Sequence, residues 1–105
     1  MKERIYIKGK KFNAMGEIEL PSRKVTIFKD SMINPLETTI YGEKTTLLKA
    51  FLVRNGIIKN NVFTEDYTFD YPATAAAIVS AGRPGYRIIK LVGTEKSIHS
   101  ILKDK

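Results

Sequence analysis

The sequence has no cysteine and only one histidine among its 105 residues. The absence of cysteine excludes disulfide bonds, thiolate nucleophiles and cysteine-ligated zinc. The single histidine, His99, is close to the C-terminal end, and no nucleophile motif accompanies it, so a Ser-His-Asp triad is not expected. No apolar run approaches the roughly 20 residues that span a bilayer, and the opening residues MKERIYIKGKK lack the apolar stretch of a signal peptide. We therefore expect a cytoplasmic protein that is stabilised by packing.

Length and composition predict one globular domain over residues 1–105. Hydrophobic residues make up 43% of the chain and charged residues 28%, which is ordinary globular usage. The net charge is +7, but residues 61–80 contain no lysine or arginine and three acidic residues. Basic segments on both sides of this acidic stretch suit a phosphate-rich partner through counterion release, although surplus lysine also serves solubility.

Alternation of apolar and polar residues marks the first half of the chain. Ile5 and Ile7 flank Tyr6, and the same period of two continues through residues 17–20 and 24–27. This period is typical of half-buried strands. The sequence Pro-Ser-Arg between the second and third runs predicts a turn, and therefore an antiparallel hairpin over residues 12–29. Residues 30–42 have weak periodicity and are predicted to form a loop.

A helix is predicted over residues 43–55, with Gly56 at its C-terminal cap. Its predicted core-facing stripe is Leu47, Leu48, Phe51 and Leu52. Basic residues outside this stripe indicate a solvated face, or alternatively a recognition helix for nucleic acid. These residues are Lys44, Lys49 and Arg54.

The second half predicts extended structure over residues 57–63 and 66–70, followed by a helix that starts at Pro72. Asp70 is expected to accept hydrogen bonds from the first helical turn, and Gly82 to end the helix. A strand is predicted over residues 86–92. Residues 96–102 form either a strand or a terminal helix, and we favour the strand. The sum is an α+β domain, with an antiparallel sheet of about five strands and two helices packed on it.

Metal and phosphate sites are weakly supported. Glu65, Asp66 and Asp70 could supply oxygen ligands, but adjacent acids on a strand point to opposite faces. The segment 81–85 contains Gly-x-x-Gly but follows a helix, where the negative end of the dipole repels phosphate. We therefore predict no catalytic residue, no metal and no cofactor.

Five segments, in this order and approximate spacing, carry a family resemblance: KVTIFKDS, LLKAFLVRNGII, VFTEDYTFDYPATAAA, GYRIIK and VGTEKSI. Over about residues 5–102 the chain resembles the domain of unknown function 4357. The matching positions are Lys29, Ser31, Asp66, Tyr67, Phe69, Pro72, Ala75, Ala76 and Gly85. The family implies an accessory domain, attached to GIY-YIG nuclease-like or restriction–modification-related proteins, with no established activity of its own.

The chain departs from the family pattern at several positions. Asp30 stands where glycine is usual. The two serines that normally flank Pro72 are absent, so Asp70 is expected to replace the lost helix cap from one position earlier. Tyrosine and isoleucine replace two family tryptophans that could form an aromatic recognition surface. These substituted positions are Tyr71, Ala73, Tyr86 and Ile89.

The leading functional hypothesis is a non-enzymatic module that contacts the phosphates of DNA or RNA. The residues expected to make these contacts are Lys24, Lys29, Arg83, Arg87 and Lys90. Aromatic rings near basic residues are a second cue for nucleic acid, although Phe12 and Phe28 are expected to face the core and Tyr86 is left open. The alternative is a domain that binds a protein or itself, through a sheet edge or the loop around Met32 and Ile33.

Overall fold

The computed structural model describes residues 1–35, 43–81, 88–94 and 96–98. The strands, β1 to β7 in chain order, are Lys2–Lys8, Asn13–Glu19, Val25–Ile27, Ile58–Lys59, Val62–Phe63, Tyr67–Phe69 and Lys90–Leu91. The helices are Glu43–Arg54 (α1) and Pro72–Ser80 (α2). Five strands form one antiparallel sheet in the order β6-β3-β2-β1-β7, and β4 pairs with β5 in a separate hairpin. The predicted α+β class, with a five-stranded antiparallel sheet and two helices, is confirmed.

The predicted hairpin over residues 12–29 is formed by β2 and β3. Gly16 pairs with Ile27, and Ile18 with Val25. The Glu19 N–H donates to the Lys24 carbonyl at 2.8 Å, which closes the turn. This hairpin lies in the middle of the sheet. Strand β1 pairs with β2, and strand β6 pairs with β3.

The core lies between one face of the sheet and α2. Alternate residues of β1, β2 and β3 are fully buried, and α2 packs across these strands and β6. Three consecutive alanines, Ala75, Ala76 and Ala77, are each 0% exposed. Because their side chains are single methyl groups, the helix can approach the sheet closely, as the sequence predicts.

Helix α1 ends at Arg54, and Gly56 follows with φ +74°, so the predicted cap is confirmed. The predicted buried stripe is partly wrong. Leu47 is 62% exposed and Phe51 is 49% exposed. The inward face instead runs through Thr45, Leu48 and Leu52, at i, i+3 and i+7. The physical reason is that α1 packs mainly against α2 and β4, so only a narrow strip of it meets the core.

The ends of α2 differ from the prediction. The N-cap residue is Tyr71, whose side chain makes no capping hydrogen bond, and within the described chain no helix amide donates to the Asp70 carboxylate. Tyr71 has extended backbone angles, which carry the preceding residue away from the helix axis. At the other end the left-handed cap is Ala81, with φ 56° and its N–H donating to Ala77 O at 2.9 Å. Gly82, the predicted cap, lies outside the described residues.

Lys90 and Leu91 of β7 lie within the strand predicted over residues 86–92. Ser97 forms an antiparallel bridge with Lys90, which agrees with the strand favoured over residues 96–102, while residues 99–102 lie outside the described chain. Neither described helix is long and apolar enough to cross a membrane.

Candidate functional site

The first family motif forms a tight turn after β3. The Ser31 N–H donates to the Phe28 carbonyl at 3.2 Å, and Asp30 has φ +74°. A turn of this kind favours glycine at its third position, because a side chain is strained at positive φ. The glycine of the family pattern is therefore explained by backbone geometry, and Asp30 tolerates the same conformation at a cost.

The polar motif residues hold segments of backbone together. The Ser31 side chain, in a residue only 5% exposed, accepts from the Met15 N–H at 3.1 Å and donates to the Met15 carbonyl at 3.2 Å. Its backbone carbonyl accepts from the Phe63 N–H at 2.9 Å. The Asp66 carboxylate accepts from the Lys29 N–H at 2.7 Å. Ser31 and Asp66 thus join β2, β3, β5 and β6 through backbone groups.

The apolar motif residues pack in or beside the core. The Phe69 ring meets Tyr67 edge-on, with centroids 4.9 Å apart. Pro72, Ala75 and Ala76 are buried in α2. Gly85 lies outside the described residues. Every motif position that the structure describes therefore has a structural role.

Replacing Asp30 with glycine is expected to raise the free energy of unfolding by about 0.5 kcal/mol. The change removes the left-handed strain of about 1 kcal/mol, offset in part by the greater freedom of glycine in the unfolded chain. Asp30→Val is the matched control and is expected to lower stability by about 1–2 kcal/mol. Urea denaturation measures both, and a clearly destabilised glycine variant would contradict this account of the turn.

A cleft of about 260 Å³ opens between the starts of α1 and α2 and strand β6. Its lining residues are Lys44, Thr45, Leu48, Tyr67, Thr68, Phe69, Asp70, Tyr71 and Thr74. Asp70 places a carboxylate beside the N-terminus of α2, which opposes an anionic ligand there. Within the described chain, no group of three or more acidic or histidine side chains lies close enough to hold a metal.

Neither described helix packs on the opposite face of the sheet, and several of its side chains are exposed. Because paired residues in an antiparallel sheet share a face, its composition follows from the register. One row runs Lys90, Tyr6, Met15 and then Phe28, whose N–H donates to Met15 O at 2.8 Å. The centre of this row is apolar, with Met15 41% exposed and both rings half-buried.

A second row extends the same face beyond the main sheet. Lys8 pairs with Asn13, and Met32 bridges Asn13 to Val62. Met32 is 47% exposed. Lys59, which pairs with Val62 across the β4-β5 hairpin, is also exposed. Both rows together place two methionines and two aromatic rings among basic side chains.

We call this surface the open face. Its members are Arg4, Tyr6, Lys8, Asn13, Met15, Phe28, Met32, Lys59 and Lys90, together with the row Glu17, Thr26 and Thr68 that pairs with Arg4. The Arg4 guanidinium lies over the Phe28 ring, 5.2 Å from its centroid. The Tyr6 hydroxyl donates to the Thr94 carbonyl at 2.9 Å. The arrangement offers flat rings for stacking and cations for phosphate.

The comparisons with known proteins agree with the motif pattern. The family described as Domain of unknown function (DUF4357) matches residues 5–85. The chain belongs to this family. No curated protein and no solved structure matches it. In this DUF4357 chain, Lys29 and Ser31 of the family motifs lie in the turn after β3, and Asp66, directly before β6, binds that turn through its carboxylate.

The predicted phosphate-binding residues of this DUF4357 domain are only partly brought together. Lys29 is exposed on the turn after Phe28, and Lys90 adjoins Tyr6 on the open face. Lys24 is exposed at the far end of the hairpin, about 20 Å from Lys90 by strand spacing. Arg83 and Arg87 lie outside the described residues.

Sequence analysis missed several members of the open face. The alternation of KERIYIK was available as a signal, because inward Ile5 and Ile7 place Arg4, Tyr6 and Lys8 on the other side. The expectation that Phe28 faces the core is wrong, since it lies in the outer row with Met15. Phe12 does pack against the core, as expected. Residue Tyr86 lies outside the described chain.

Proposed function

We propose that this DUF4357 domain is a non-enzymatic, cytoplasmic module that binds nucleic acid through its open face. The observation that carries the proposal is the row containing Tyr6, Met15 and Phe28, with basic side chains on both sides. Stacking surfaces next to cations suit a ligand that has both bases and phosphates. The nuclease-like and restriction–modification setting implied by the family resemblance fits the same class of ligand.

The cations of the open face are available to a ligand. In the described part of the chain the one ion pair joins Lys2 to Glu17 at 3.6 Å. Glu17 lies on the open face beside Arg4, and the pair does not involve Lys8, Lys59 or Lys90. Phosphates that replace solvent ions around these side chains release counterions, which favours binding at low salt. The non-enzymatic assignment is supported by the motif hydroxyl and carboxylate, which bond backbone groups.

Charge on the rim of the sheet favours one side of the open face. Acidic Glu65 and Asp66 directly precede β6, Asp70 directly follows it, and all three are exposed. At the opposite edge Lys90 lies beside β1, whose end carries Lys8. A polyanion is therefore favoured near β1 and β7 and disfavoured near β6.

The double variant Lys8→Gln/Lys90→Gln tests the proposal. At low salt we expect about tenfold weaker binding to an oligonucleotide. The slope of log affinity against log salt should also become shallower by roughly 1.4 for a single strand, because two phosphate contacts are lost. Fluorescence anisotropy at several salt concentrations measures both quantities.

The matched control is Lys44→Gln/Arg54→Gln, which removes the same charge from helix α1. Its affinity and salt slope are expected to change much less, because α1 packs on the helical side of the sheet. Equal losses in both double variants would show that net charge alone governs binding. Salt-independent affinity would contradict the phosphate contacts.

A protein partner, or a second copy of the chain, is the competing function. Exposure of Met15 and Met32 on one face favours it, because flexible methionines suit adaptable protein contacts. The predicted role of Ile33 is wrong, since this side chain is 0% exposed and belongs to the core. Light scattering that shows a mass rising with concentration, together with no affinity for DNA or RNA, would favour this function.

A further inference from the structure

We infer that the open face takes single-stranded nucleic acid in preference to a duplex, with bases stacked on Tyr6 and on the Arg4–Phe28 pair. The inference rests on the proposed function and names its ligand class. It depends on three features: the width of the sheet, the position of the two rings, and the guanidinium over one of them.

Width separates the two kinds of ligand. Five strands spaced about 4.8 Å apart span about 19 Å between their outer axes. The major groove of B-DNA is about 12 Å wide and admits a helix or a two-stranded ribbon. The five-stranded face is therefore too broad to reach duplex base edges. A single strand can lie across it with its bases turned towards the protein.

The two rings are placed for successive contacts along a strand. Tyr6 and Phe28 belong to one row and are two strands apart, with Met15 between them. The corresponding separation is about 10 Å. Met15 fills the gap with an adaptable apolar side chain. The hydrogen bond from Tyr6 to Thr94 O holds the first ring in place.

Arg4 adds a second planar group to the stacking position at Phe28. Its guanidinium lies 5.2 Å from the Phe28 centroid, within the range of a cation–π contact. A base can stack on the outer face of the planar guanidinium, while the positive charge remains close to the phosphates.

The test compares an oligo-dT strand of about a dozen nucleotides with a duplex of equal length, using Tyr6→Leu/Phe28→Leu. The native chain is expected to bind the strand at least about tenfold more tightly than the duplex. The double variant should bind the strand at least about twentyfold more weakly, since each ring–base stack contributes about five-fold or more. Its duplex affinity should change by less than about threefold, because duplex binding relies on phosphates.

Three further measurements keep the test decisive. Phe51→Leu removes an exposed ring from α1 and is expected to leave both affinities unchanged. Tyr6→Phe keeps the ring but loses the hydrogen bond that positions it, and is expected to bind the strand more weakly than the native chain but more tightly than the double variant. Thermal unfolding checks that each variant is folded. Equal strand and duplex affinities, insensitive to the ring substitutions, would overturn this inference and leave the proposed function standing. Absence of binding to either probe would overturn both.

Discussion

Gly16→Ala is expected to lower the free energy of unfolding by about 3 kcal/mol. A Cβ at this position would overlap the carbonyl oxygen of Thr26 and lie 3.1 Å from its carbonyl carbon. It would also lie 3.3 Å from the Ile27 Cα. These atoms belong to the backbone of β3, so a clash is relieved only by moving two central strands apart. Alanine also lowers the conformational entropy of the unfolded chain, which offsets less than about 1 kcal/mol of this loss.

Gly56→Ala is the control for a different kind of strain. Gly56 has φ +74°, but a Cβ there meets nothing within 4 Å. Its expected cost is about 1 kcal/mol, from the left-handed conformation alone. Chemical denaturation of both variants separates close approach from backbone angle. A Gly16→Ala variant as stable as the native chain would contradict the packing of β2 against β3.

Phe69→Ala is expected to lower the free energy of unfolding by about 3–5 kcal/mol. The side chain is 1% exposed and makes edge-on contacts with Phe63 and Tyr67, at centroid distances of 6.3 and 4.9 Å. Substitution leaves a cavity where β6 meets the core. Since domains of this size unfold with about 5–15 kcal/mol, a large share of the stability would be lost.

Phe51→Ala is the matched control for this loss. Phe51 is 49% exposed on α1, and alanine has the higher helix propensity, so we expect a change within about 0.5 kcal/mol. Calorimetry or urea denaturation measures both variants. A similar loss at positions 51 and 69 would contradict the assignment of the inward face of α1.

The strands were predictable because apolar and polar residues that alternate along a strand indicate that one face of the sheet is buried. Ile5, Ile7, Ile18 and Val25 all lie on the face that this period assigns to the core. The alanine run likewise predicts a helix that packs closely. These features depend on local sequence, and the local pattern agrees with the tertiary packing.

The face of α1 was less predictable. The apolar residues of α1 occupy a wider part of its surface than α2 and β4 contact. Composition alone therefore does not decide which side of the helix is buried. Leu47 and Leu52 are the same residue type, yet Leu47 is exposed and Leu52 is buried. Only the positions of α2 and β4 distinguish them.

The open face depends on pairings between distant segments. Lys8 pairs with Asn13, and Met32 forms β-bridges to both Asn13 and Val62. No local sequence pattern predicts this row. Phe28 was assigned to the core as an apolar ring, although inward Val25 and Ile27 place the next residue on the outer face. Lys24 and Lys90 were grouped by charge, although the fold separates them.

The most direct test of the open face is a nuclear magnetic resonance titration of the protein with the oligo-dT strand at low salt. We expect the largest amide shifts at Tyr6, Lys8, Met15 and Phe28, with small changes along α1. Shifts that cluster on α1 or around the cleft at β6, with the open face unchanged, would contradict the account.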